Sequence, residues 1–251
     1  MCSCFSSKKQ KANFIDEEPS KITVSAPTTS QPEPTSQTPS TTESSEKKMA
    51  PPKVAIIIYS MYGHIASMAE SVKAGVESAG GSAEIYQIPE TLSDDILKLL
   101  HAPPKLNYPV ISPNDLTKFD AFLFGIPTRY GNFPGQWKAF WDATGGLWFQ
   151  AALHGKYAGI FVSTGTPGGG QEVTISNAIS TLVHHGIIYV PLGYKNARAQ
   201  LTNLDIVHGG SPWGAGMYAN SDGSRQANEL ELELAKIHGK SFYETIARVS
   251  F

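Results

Sequence analysis

Three short stretches of this 251-residue chain combine hydroxyl, glycine, aromatic and basic side chains in a way that suits a phosphorylated planar ring. The first, Ser60-Met61-Tyr62-Gly63-His64-Ile65, follows the apolar run Val54 to Tyr59 and leads into a helix-spaced stretch. A helix start there presents unpaired backbone N–H groups and the positive end of the helix dipole. Ser60 adds a hydroxyl, and Gly63 lets the backbone curl around an anion. No G-x-G-x-x-G spacing is present, which argues against a dinucleotide pyrophosphate, and no Gly-Lys-Ser/Thr follows, which excludes a P-loop. What remains is a cradle for one phosphate, as a mononucleotide requires. An ordinary βα turn has the same outline.

Pro127-Thr128-Arg129-Tyr130-Gly131-Asn132 is the second stretch. Tyr130 offers a flat apolar surface with a polar tip, and Arg129 with the backbone amides suits the polar edge of a flavin ring. The third, Ser163-Thr164-Gly165-Thr166-Pro167-Gly168-Gly169-Gly170-Gln171-Glu172, is rich in glycines that permit close backbone approach to a ring. Trp148, in Thr144-Gly145-Gly146-Leu147-Trp148-Phe149, is either core, the usual fate of Trp, or a cap on a ring pocket, if need be across a subunit boundary. His184-His185-Gly186 closes a helix, where a His commonly pairs with the dipole. No third ligand stands at metal-like spacing, so no metal is expected.

These loops need a scaffold that brings them together. Apolar β-rich runs at Val54 to Tyr59, Ala83 to Ile88, Ala121 to Gly125, Ala158 to Ser163 and Ile187 to Val190 alternate with helix-spaced stretches. The expected helices are Ile65 to Ala79, Thr91 to His101, Gly135 to Ala143, Glu172 to His185 and a long final one, Arg225 to Val249. Strands apolar on both faces, separated by helices, predict a parallel sheet covered on both sides. Five of them fit the flavodoxin-like doubly wound α/β sheet of order 2-1-3-4-5. Its ligand crevice lies beyond the carboxyl ends of strands one and three, where the three stretches fall.

Net charge is −2, so no basic field draws in nucleic acid. The two cysteines, Cys2 and Cys4, can neither staple a core nor complete a zinc site. From Pro19 to Glu46 the chain is Ser, Thr, Pro, Gln and Glu, so residues 1–52 are expected to be a disordered tail and 53–251 the folded domain. The first residues lack the apolar stretch of a secretory leader, which points to a cytoplasmic protein. Met1-Cys2-Ser3-Cys4-Phe5 before Lys8, Lys9 and Lys11 pairs acylatable thiols with basic residues, a pattern that suits palmitoylation and peripheral attachment at the inner face of the plasma membrane. An unmodified tail fits equally.

Together the motifs resemble the WrbA-type NAD(P)H:quinone oxidoreductases, in their fungal branch. The resemblance rests on Ser60 to Ile65, Gly125 to Asn132, Thr144 to Trp148, Ser163 to Glu172, His184-His185-Gly186, Pro191-Leu192-Gly193-Tyr194 and Asp222-Gly223-Ser224-Arg225, in order from about Lys53 onward. It implies non-covalent FMN, with Ser60, Met61, Tyr62, Gly63, His64 and Ile65 at the phosphate. Thr128, Arg129 and Tyr130 would line the isoalloxazine, as would Ser163, Thr164, Gly165, Thr166, Gly168 and Gly169. His184 would approach the flavin and assist, Tyr62 would contact the nicotinamide of NADH or NADPH, and Trp148 the quinone. It also implies a homotetramer whose flavin sites are completed by neighbouring subunits. Pro167 is inserted where many bacterial members run directly into glycines, which shifts the amides of Gly168 and Gly169. The implied activity is two-electron, ping-pong quinone reduction in oxidative-stress protection. A one-electron flavodoxin carrier and a membrane-associated scaffold are the rival classes.

Overall fold

A computed structural model describes residues 50–251. The expectations for the first 49 residues, including the disordered tail and any acylation of Cys2 and Cys4, lie outside the described residues. The elements run β1 (Val54–Ile58), α1 (His64–Ser78), β2 (Ala83–Gln87), α2 (Asp94–Leu99), β3 (Ala121–Pro127), α3 (Gly135–Asp142), α4 (Gly145–Phe149), β4 (Tyr157–Thr164), α5 (Gln171–His184), β5 (Ile188–Tyr189), α6 (Arg198–Leu201), β6 (Gly216–Tyr218) and α7 (Glu229–Ile246). The parallel order is β2-β1-β3-β4-β5, the doubly wound arrangement the sequence predicts.

Strand periodicity sorts the core into two layers. Val54, Ile56 and Ile58 of β1 join Leu123 of β3 under α1 and α7, whereas Ala55 and Ile57 join Phe122 and Phe124 under α3 and α5. Burial of both faces is why these strands read as continuous apolar runs rather than as alternation. Trp137, on α3, fills the second layer and donates its indole N–H to the Gly125 carbonyl at 3.2 Å. Ser93 caps α2, its hydroxyl accepting from Ile96 N–H.

Two departures concern the crevice. β6 is a sixth strand that pairs parallel with Val162–Thr164, while β5 pairs with Tyr157 and Ala158, so two short strands share one side of β4. The final helix starts at Glu229 rather than Arg225, because Asn228 and Glu231 form a reciprocal capping box. Residues before Asn228 are thereby released to build a loop.

His238 of α7 is 1% exposed and its Nδ1 accepts from Ala215 N–H at 3.3 Å, so the proton sits on Nε2, which has no partner. Burial pushes its pKa down from 6.5 to about 4. The unfolded chain then binds the extra proton first, and stability held above pH 6.5 is lost as the pH falls toward 4. The loss through this one group is about 3 kcal/mol. Urea titrations from pH 7 to 4 on the wild type and a His238→Leu variant should diverge by that amount. Parallel pH profiles would show that His238 carries none of it.

Candidate functional site

Beyond the carboxyl ends of β1, β3 and β4 lies a crevice of about 1310 Å³. Ser60, Met61, Tyr62, His64 and Ile65 line its first side, Thr128, Arg129 and Tyr130 its second, and Ser163, Thr164 and Gly165 its third. The topology thus gathers the three stretches that the sequence singled out.

The first side is the N-terminus of α1. Gly63 is the N-cap at φ 89°, a left-handed conformation that favours glycine. Backbone N–H groups of Ser60 through Ile65 have no acceptor among the described residues, and the first turn of α1 has no acidic side chain. Ala66 N–H is satisfied by Ser60 Oγ at 3.3 Å. A row of free donors at a helix N-terminus with no internal anion suits an external one. Gly63 itself faces a smaller cavity on the other side of the loop.

On the second side, Tyr130 holds φ 56° and is fully exposed. A bulky residue keeps that conformation only when its surroundings impose it. Here Arg129 and Asn132 exchange backbone hydrogen bonds at 2.9 and 3.0 Å, Gly131 N–H donates to Thr128 Oγ1, and Asn177 Nδ2 of α5 donates to the Gly131 carbonyl. Arg129 forms no ion pair among the described residues, so its guanidinium is free to serve a ligand.

The third side turns away sooner than the glycine run suggests. Thr166 carbonyl oxygen accepts from Thr164 Oγ1 at 3.0 Å and from Gly169 N–H at 2.9 Å, closing the loop on itself. A Cβ on Gly169 would lie 2.8 Å from that carbonyl, so this glycine serves the turn. Thr166, Gly168 and Gly169 lie outside the crevice lining of the single chain. So do His184, exposed with Nδ1 2.7 Å from the Ser180 carbonyl, and Trp148, 55% exposed on α4. The buried member of the His pair is His185, whose Nε2 lies 2.9 Å from Thr144 Oγ1.

A fourth side went unassigned in the sequence. Asn220, Ser221, Asp222 and Gly223 form it, and His64 Nε2 donates across to the Gly223 carbonyl at 3.1 Å. Only the Asp222-Gly223 motif signalled it, because the segment arrives from more than 150 residues away in the chain. Tyr59 and Gln136 also face the crevice, and both donate to Glu90. Burial, then the neighbouring Glu90, raise the Tyr59 phenol well above its ordinary pKa. For Glu90, burial alone would raise the pKa, but Lys105 and the N–H groups of Leu92 and Thr91 outweigh it and bring the carboxyl to about 2.

A family model described as NADPH-dependent FMN reductase matches residues 52–200. The chain belongs to that family. A Saccharomyces cerevisiae protein named protoplast secreted protein 2 is 66% identical over 197 residues, 78% of this chain and 99% of its own length. A Candida albicans protein named NAD(P)H quinone oxidoreductase is 67% identical over the same share of each chain. Among solved structures, a flavodoxin, WrbA-like protein from Agrobacterium tumefaciens is 25% identical with a TM-score of 0.54, covering 80% of this chain and 99% of its own.

The FMN reductase family's cofactor can be tested against the residues present. The free amides of Ser60 through Ile65 match the several acceptors of one phosphate, and the first turn of α1 itself places no carboxylate against it. Arg129 and the exposed ring of Tyr130 supply a cation and an aromatic face to the same crevice. The residues fit FMN.

Proposed function

We propose that this FMN reductase family member carries two electrons from NADH or NADPH to a quinone, with both substrates using one slot in turn. The observation that carries the reading is a wide crevice bordered both by the free N–H groups at the start of α1 and by Tyr59, Tyr62 and Tyr130. The relatives named NAD(P)H quinone oxidoreductase support it. When bound, FMN would supply the two-electron redox chemistry.

The residues bind, orient and exclude. Ser60 to Ile65 hold the phosphate through backbone N–H groups, and Thr128, Arg129, Tyr130, Ser163, Thr164 and Gly165 border the ring. Thr166, Gly168 and Gly169 shape the turn that sets the Gly165 amide. Tyr62, its hydroxyl anchored on the Leu100 carbonyl at 3.1 Å, presents its ring to the nicotinamide. Tyr59 keeps its proton and donates a hydrogen bond through it to the Glu90 carboxylate, so it forms a fixed wall rather than an acid. Trp148 and His184 lie outside the crevice of their own chain and reach a flavin site only through assembly, which we take to be a homotetramer. Acylation of Cys2 and Cys4 would hold the enzyme at the inner face of the plasma membrane, where reducing quinones completely in one visit limits oxidative stress.

A shared slot has a kinetic signature. Initial rates of NADPH oxidation, measured at several benzoquinone concentrations, should give parallel double-reciprocal lines. Intersecting lines would mean that both substrates bind together, and the shared slot would be wrong.

A further inference from the structure

We propose that Lys105 is a positioning residue for the FMN phosphate, acting from behind the Ser60–Ile65 loop; this rests on that loop being the phosphate cradle. Ser60 and Met61 line the crevice on one side and a cavity of about 100 Å³ on the other, so the loop is a wall with two faces. Gly63, Lys105 and Tyr108 also line the rear cavity. Lys105 Nζ stands 3.4 Å from the Ser60 carbonyl oxygen. That contact is long, and what gives it weight is how firmly the ammonium is located.

Glu90 Oε2 holds Nζ at 2.7 Å, and the ammonium lies 4.5 Å from the centroid of the Tyr59 ring. Glu90 is itself held by Tyr59 Oη at 3.0 Å, Gln136 Nε2 at 3.1 Å, and the N–H groups of Thr91 and Leu92. The Lys105 side chain is only 29% exposed, so this cation is a built part of the wall rather than a solvated surface charge.

Peptide geometry supplies the rest. The Ser60 carbonyl and the Met61 N–H belong to one planar unit and point in opposite directions. A donor drawing the carbonyl toward the rear cavity therefore turns the Met61 N–H toward the crevice. Because Glu90 balances the charge of Lys105, its effect is on orientation rather than on net field. Tyr62 Oη, donating to the Leu100 carbonyl, adds a second tie between the loop and the segment that carries Lys105.

The test compares FMN with riboflavin, which has the ring but no phosphate. Dissociation constants are measured by flavin fluorescence on full-length apoprotein of wild type, Lys105→Met and Lys105→Arg, with circular dichroism confirming the fold. In Lys105→Met, the preference for FMN over riboflavin should fall by about ten-fold, the size of one charge-assisted hydrogen bond, while riboflavin affinity stays within about two-fold. Lys105→Arg should restore most of the preference. Equal weakening of both flavins would show a merely structural role and overturn the proposal, as would no change in either. A wild type that does not prefer FMN to riboflavin would instead remove the phosphate cradle beneath it. Glu90 retains four other donors in the Met variant, so its own pairing does not collapse with the lysine.

Discussion

Glu231→Ala is expected to destabilise the folded chain by about 3–5 kcal/mol, the cost of leaving three backbone N–H groups without their acceptor and a part-buried guanidinium without its anion. Glu231 is fully buried, and its carboxylate gathers donors from four places in the chain. Arg225 Nη1 reaches it at 2.8 Å, and the N–H groups of Gly209, Tyr218 and Asn228 at 2.9, 3.1 and 2.9 Å. One side chain thereby fastens β6, the segment before it and the start of α7. Arg225 in turn donates to the Val207 carbonyl at 3.1 Å and follows the Asn220–Gly223 side of the crevice with only Ser224 between. Alanine leaves three backbone donors and a guanidinium without their acceptor. Thermal unfolding of the full chain should show a midpoint lower by about 10 °C, at 2–4 °C per kcal/mol for a domain of this size. FMN affinity should fall as the fourth side loosens. A midpoint within about 2 °C of wild type would mean that the network is dispensable.

Gly239→Ala should cost on the order of 3 kcal/mol, at the upper end of overpacking. The reason lies in how closely α1 and α7 cross. A Cβ on Gly239 would stand 2.0 Å from the Val72 carbonyl oxygen of α1, and one on Gly75 would stand 2.0 Å from the Lys236 carbonyl oxygen of α7. Backbone cannot swing aside as a side-chain tip can, so the helices must part. Because α1 carries the phosphate loop at its start, parting them also tilts the row of free N–H groups. Gly75→Ala should behave alike, and the double variant should fall short of additivity, since one separation relieves both clashes. Urea denaturation of the three variants measures this. Single variants as stable as wild type would show that the crossing has slack.

Much of the scaffold was legible from residue type. Val54 to Ile58 and Ala121 to Ile126 announce themselves because strands covered on both faces need apolar residues throughout. Order 2-1-3-4-5 then dictates that the loops after β1, β3 and β4 converge, so the three stretches could be placed before any coordinates. β6 was not legible, since three residues, the first of them Gly216, carry no periodicity. The start of α7 was legible in principle, for Asn228-Glu229-Leu230-Glu231 is a capping-box sequence. Within the site, glycine is ambiguous. Gly169 looks the same in a sequence whether it admits a ring or, as here, closes a turn against Thr166. Glu90 gave no signal at all, because its importance comes from Tyr59, Lys105 and Gln136, which meet it only in the fold.

In the proposed site, free backbone N–H groups at the start of α1 grip the phosphate of one FMN per chain. Titrating full-length apoprotein with FMN by calorimetry, with riboflavin as the comparison, measures this directly. One saturable site per chain is expected, tighter for FMN than for riboflavin by more than about ten-fold. Binding of neither flavin, or equal binding of both, would contradict it.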